Sequence, residues 1–317
     1  MTSTEHRPTG AGTRAGSLPG PLVDVDRLAA LAGRPGTVLL DASVGAHRSV
    51  GRRIPGARRF DIDGAMSDHS VRLPHTMPPA EWFAEEMRAL GVNSTDTVVV
   101  YDTAGIYSSP RAWWMLRAMG FDRAAVLDGG LPAWEAAGHP VEELAPEGRA
   151  EDPRAAGRGG SPAQGGSAEA PGAQGPWRAG DFSASPRPGA LVGSDAVLAA
   201  LADPDAAVLD ARSRERFAGT AAEPRPGLRG GHMPGSVSLP FGVLQRDGRM
   251  LPEEQLRSLF EASAGDRERL VVSCGSGVTA CVLALGAELA GYSDVAVYDG
   301  SWSEWGLPSE LPVVTGP

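Results

Sequence analysis

The chain has 317 residues, a formal charge of −10 and 29 cationic side chains, every one an arginine. Without a lysine amine it can form neither a pyridoxal-phosphate Schiff base nor the lysine contact of a phosphate-binding P-loop, and its acidity argues against nucleic acid as a partner. Two cysteines, Cys274 and Cys281, exclude a disulfide framework and a four-thiolate metal site but leave room for one reactive thiol, expected to be exposed.

In chain order, residues 1–20 are a tail without the apolar run of a secretory signal. No later stretch of about 18 apolar residues suggests a membrane span, so a soluble cytoplasmic protein is expected. Residues 21–145 form a first block. Its β-branched runs at 38–40, 97–101 and 124–127 alternate with helical patterns, among them Ala80–Leu90, which puts Phe83, Met87 and Leu90 on one stripe and ends at Gly91. Residues 146–180 read as a linker: over 148–176, 21 of 29 residues are Gly, Ala, Pro or Ser and none is aliphatic beyond alanine or aromatic. Such a stretch cannot bury enough apolar surface to offset its ordering entropy, and it is expected to be flexible.

Residues 181–317 repeat the first block. VLLDAS (38–43), IPGA (54–57), TVVVYD (97–102) and LDGGLPAW (127–134) return as AVLDAR (207–212), MPGS (233–236), LVVSC (270–274) and YDGSWSEW (298–305). Asp41 to Asp128 spans 87 positions and Asp210 to Asp299 spans 89, so order and spacing mark a tandem duplication. Strands are expected at 207–209, 270–273 and 294–298, with an apolar helix from Val278 to Ala290. The predicted fold class is α/β: two domains, each a mostly parallel sheet flanked by helices, with ligands expected at loops leaving the carboxyl ends of strands.

One such loop carries chemistry. Strand LVVS runs into Cys274-Gly275-Ser276-Gly277-Val278-Thr279-Ala280. Two glycines in four positions let successive N–H groups converge into an anion-binding nest, and the following helix N-terminus adds partial positive charge. A cysteine at the lip of that cup is expected to be present partly as thiolate, the nucleophilic form.

CGSGVTAC (274–281), LDARSRERF (209–217), EPR (223–225), GHMPGS (231–236) and YDGSWSEW resemble the tandem-rhodanese sulfurtransferases, most of all their 3-mercaptopyruvate branch. In the first block RRIPGARRFDID (52–63), LPHTMP (73–78) and SSPRAWWMLRAMG (108–120) resemble them too. The resemblance implies that Cys274 takes a sulfur atom from a donor as a persulfide and passes it to cyanide or to a thiol acceptor such as thioredoxin or another dithiol. No cofactor is implied. Asp102 replaces the cysteine in the first block, which is therefore expected to be inert. The resemblance further implies a substrate grip by Arg216 and Arg225, with Gly275, Gly277, Val278 and Thr279 lining the site, and a proton relay of Asp63, His75 and Ser276. Relatives specialised for thiosulfate carry basic residues after the cysteine. Gly275 and Ser276 are uncharged and favour mercaptopyruvate, with thiosulfate as the alternative donor.

Other readings are weaker. A phosphatase on this fold needs an arginine six positions after the cysteine, where Ala280 stands. A non-catalytic sulfur carrier or redox sensor would have no use for the arginine pair. The six histidines, His69 and His232 included, show no metal-ligand spacing, and His232 reads as structural. Cys281 reads as a packed small hydrophobe; Trp113, Trp114, Trp134, Trp302 and Trp305 read as core or interface aromatics.

Overall fold

The computed structural model describes residues 18–144 and 177–317. The expected tail up to residue 17 and the expected flexible linker over 145–176 lie outside those residues.

Each half is built on a five-stranded parallel sheet. In the N-terminal half β1 (Leu22–Val23), β2 (Thr37–Asp41), β4 (Arg58–Arg59), β5 (Thr97–Tyr101) and β6 (Ala124–Leu127) lie in the spatial order β1-β6-β5-β2-β4, while β3 (Arg52–Arg53) pairs antiparallel with β7 (Glu142–Glu143). In the C-terminal half β8 (Leu191–Val192), β9 (Ala206–Asp210), β10 (Val237–Ser238), β13 (Arg269–Ser273) and β14 (Asp294–Tyr298) lie in the order β10-β9-β13-β14-β8, with β11 (Gln245–Arg246) and β12 (Arg249–Met250) as a separate hairpin. The two orders are one topology written twice, as the repeat requires. At each centre a β-branched strand is paired on both edges: Val99 lies opposite Leu39 and Ala125, and Val271 opposite Val208 and Ala296. Helices cover both faces of such a sheet, which explains why β5 is buried at all five positions and reads as a continuous apolar run.

The covering helices are α1 (Val25–Leu31), α2 (Ala80–Ala89), α3 (Ser109–Ala118) and α4 (Gly130–Ala136) in the first half. The second half has α5 (Ser194–Ala202), α6 (Arg214–Ala218), α7 (Glu253–Ala264), α8 (Ala280–Leu289) and α9 (Ser301–Trp305). Helix α2 buries Phe83 and Met87 as the periodicity predicts. Helix α8 starts two residues later than expected, because Gly277 is left-handed at φ +74° and the turn after it is spent closing the loop.

The halves are not joined by chain alone. Helices α3 and α8 pack on one another, and one apolar cluster runs from Val100 and Trp113 through Leu285 to Val272. Trp113, Trp114, Trp134, Trp302 and Trp305 are all buried. The boundary between halves also differs from the expected one. Residues 177–187, expected as linker up to 180 and as C-terminal domain thereafter, run across the N-terminal half. Arg58 lies 4.1 Å over the ring of Trp177, Gly180 N–H donates to the Arg88 carbonyl, and Phe182 packs edge-on to Phe83. Phe182, just past the Gly/Ala/Pro-rich composition, supplies apolar area that the first core buries, while Trp177 stays exposed under Arg58.

Candidate active site

Asp102 and Cys274 follow the ends of β5 and β13, at matching places in the repeat. In the N-terminal half the cup is full. The Asp102 carboxylate is fully buried; one oxygen accepts from Ala104 N–H at 3.0 Å, the other from the N–H groups of Tyr107, Ser108 and Ser109 at 2.8–2.9 Å and from Ser109 Oγ at 2.7 Å. In the C-terminal half the thiol-bearing Cys274 stands in that place, and the N–H groups of Gly275, Ser276, Val278 and Thr279 donate to no protein acceptor among the described residues. The fold thus shows in one half what the loop is shaped to hold: an anion on converging amides.

The loop is braced from behind by Ser301, whose Oγ accepts from the N–H groups of Cys274 and Gly277, both at 3.1 Å, and by Ser303, which binds the Gly275 carbonyl through N–H and Oγ. Gly277 must be glycine: besides its left-handed φ, a Cβ there would stand 2.8 Å from the Asp299 carbonyl. A Cβ on Gly275 would stand 3.1 Å from Arg216 Nη2. Cys274 is only 1% exposed, which corrects the expectation of an open thiol; the loop turns it into the seam between the halves. Cys281 is fully buried, its thiol donates to the Gly277 carbonyl, and burial pushes its pKa up to about 12.

Two side chains, His75 and Arg216, meet the loop from far apart in sequence. His75 precedes α2. Its Nε2 lies 3.1 Å from Asp63 Oδ1 and its Nδ1 lies 3.0 Å from Ser276 Oγ across the seam. Burial opposes ionisation of Asp63, but hydrogen bonds from His75 and from Gly45 N–H win and hold its carboxyl below the usual range. A carboxylate, an imidazole and a hydroxyl in line are an arrangement that can pass a proton.

Arg216, on α6, is set by a chain of alternating charges. Asp210 holds Arg212, Arg212 reaches Glu223, and Glu223 takes Nε and Nη2 of Arg216 at 3.3 and 2.5 Å. Arg212 and Glu223 are almost fully buried. One edge of the Arg216 guanidinium is therefore committed, and its outer edge remains beside Gly275. Arg225 is half-buried and has no hydrogen bond or ion pair among the described residues. The loop bears no cation of its own, but the fold brings the Arg216 charge to it.

Sequence reasoning passed over Tyr107, Glu223 and Ser301. Tyr107 belongs to the N-terminal half, yet after burial the largest influence raising its hydroxyl pKa is the charge of Cys274, with Arg216 and Arg225 also acting on it. Glu223 and Ser301 stand inside EPR and YDGSWSEW, motifs whose signal was spent on the neighbouring arginine and tryptophans. His232 lies outside the site, stacked on Phe217 and bonded to its carbonyl. His69 bonds the Gly64 carbonyl, and Glu304 lies by Ser194. Among the described residues no cluster of three metal-ligating side chains occurs.

The family described as Rhodanese-like domain matches residues 24–137 and again 194–307. The chain is 39% identical over 323 residues to thiosulfate/3-mercaptopyruvate sulfurtransferase 1, mitochondrial, of Arabidopsis thaliana, with 96% of this chain and 82% of that protein covered. It is 39% identical over 261 residues to 3-mercaptopyruvate sulfurtransferase of Escherichia coli strain K12, with 82% of each covered. Its structure is similar to the crystal structure of SseA from Escherichia coli at a TM-score of 0.70 and 34% identity, covering 90% of this chain and all of that one.

Proposed function

Because the chain belongs to the rhodanese family and carries two copies of its domain, we propose that it moves a sulfur atom from 3-mercaptopyruvate, through a persulfide on Cys274, to a thiol acceptor or cyanide, with release of pyruvate. The observation that carries this reading is the pair of cups, closed by a carboxylate at Asp102 and open beside the thiol of Cys274. The Cys274 thiolate attacks the donor sulfur. The S–S bond forms as the C–S bond breaks, and the electron pair of that bond leaves with carbon as the pyruvate enolate. Free amides of the loop stabilise the persulfide anion as they would an oxyanion. The Ser276 hydroxyl protonates the enolate carbon and recovers its proton from His75, which Asp63 orients. An acceptor thiolate then attacks the outer sulfur and restores Cys274, so double displacement gives ping-pong kinetics. Thioredoxin or another dithiol in the cytoplasm is the acceptor in this proposal. Among the described residues no helix is long and apolar enough to cross a membrane.

Thiosulfate is the second reading, favoured by the Arg216 charge beside Gly275, which gives any anionic donor a hold. Comparing kcat/KM for the two donors with cyanide as acceptor separates them. Mercaptopyruvate is expected to lead, and a wide margin for thiosulfate would overturn the choice.

Arg216→Ala and Arg225→Ala should each raise KM for mercaptopyruvate about 10- to 100-fold, the worth of one charge-assisted hydrogen bond. Glu223 stays paired with Arg212 in the first variant, so the wall of the site stays in place. An unchanged KM in both would revive a carrier that grips no keto acid.

A further inference from the structure

We infer that Arg111, a residue of the inert half, is the positioning residue of the proton relay, holding His75 against Ser276 by gripping main chain on both sides of the seam. This inference rests on the proposed function above. Arg111 lies on α3 and its side chain is fully buried. Its Nη2 donates to the His75 carbonyl at 2.7 Å and to Asp299 Oδ1 at 2.6 Å, and its Nη1 reaches the Gly277 carbonyl at 3.4 Å. One planar guanidinium thus joins the residue that carries the imidazole to the loop that carries the hydroxyl.

The duplication supplies an internal control. The two halves exchange loops: Met77 N–H donates to Asp299 and Met250 N–H to Asp128, each at 2.9 Å. Asp128 and Asp299 match in the repeat, and so do Met77 and Met250, each two residues before the proline that opens α2 or α7. Two residues before each methionine, His75 and Gly248 are both left-handed, at φ +59° and +74°. Gly248 lies on the inert loop, its carbonyl 2.9 Å from where a Cβ of Gly105 would stand. The left-handed turn therefore belongs to the fold, and it suits glycine. A histidine there is held against a backbone cost that glycine does not bear.

The side facing the inert loop has no such clamp. Where α3 presents Arg111, the matching stretch of α8 is Val282-Leu283, apolar and fully buried. Arginine and histidine occur together, only where the loop carries a thiol and a serine. Leaving a guanidinium in a fully buried place is expensive unless it is paired, and Asp299 meets that demand. The carbonyl contacts are then geometry made available by a charge already neutralised.

The test uses the full chain with mercaptopyruvate and with thiosulfate, cyanide being the acceptor in both. Arg111→Lys keeps a cation for Asp299, but a single ammonium cannot span Asp299, His75 and Gly277. With mercaptopyruvate kcat should fall about 100-fold, as a misplacement of about 1 Å in a reacting group can cause, while KM stays near the wild-type value. Turnover of thiosulfate leaves no enolate to protonate and should stay near wild type. In a His75→Asn background Arg111→Lys should cost nothing further, since both act through one imidazole. Should Arg111→Lys not fold, the pair Arg111→Met with Asp299→Asn removes both charges together and should show the same split. Equal losses with both donors, or additive losses in the double variant, would overturn the inference. A wild-type protein active on thiosulfate and inert on mercaptopyruvate would instead overturn the proposed function.

Discussion

Cys274→Ser is expected to lose turnover with either donor by about 10⁴-fold or more, the scale seen when a covalent nucleophile is removed. Wild-type protein mixed with donor and freed of excess should gain about 32 Da, one sulfur atom, in its intact mass. The serine variant should gain nothing. The substitution replaces one sulfur by oxygen at a site 1% exposed, and thermal melting of the variant tells loss of chemistry from loss of fold. The second cysteine cannot take over. Cys281 is sealed in α8, bonded to the Gly277 carbonyl, with a thiol pKa pushed up to about 12. A serine variant that still acquired sulfur would mean the nucleophile has been misassigned.

His75→Asn is the second large effect. Asparagine tolerates the left-handed conformation that His75 adopts at φ +59°, so the loop keeps its path while the imidazole is lost. With mercaptopyruvate, kcat should fall by 10² to 10⁴, roughly the worth of a positioned general acid. Sulfur loading of Cys274 from thiosulfate, read as the same mass gain, should persist. Parallel losses with both donors would show that His75 supports the shape of the site and not proton delivery. The Asp63–His75–Ser276 arrangement has no copy in the N-terminal half: the positions matching Ser276 and His75 are Ala104 and Gly248, and the cup there is closed by Asp102. Replacing Asp102 with cysteine would therefore restore one group of several.

Much of this protein is legible in the sequence because it depends on near neighbours. The repeat, the alternation of β-branched runs with amphipathic helices, and Gly-x-Gly after a strand are all local patterns, and the two parallel sheets with equal strand orders follow from them. The substitution of Asp102 for the thiol is visible in the same way. What a carboxylate does in that loop is not: only the folded chain shows it collecting four hydrogen bonds on one oxygen.

The remaining features belong to tertiary structure, since they join residues that no period or motif links. His75 and Ser276 are 201 positions apart, and their 3.0 Å contact exists because α3 packs on α8 and the halves exchange loops over a shared core. The same packing buries Cys274 and surrounds Arg111 with two carbonyls and a carboxylate. By itself the sequence determined the sheets, the doubled plan and the single thiol in a glycine-shaped loop. Which distant groups face that thiol was decided by packing, because burying apolar helix faces sets the seam between the halves, and the seam sets the distances.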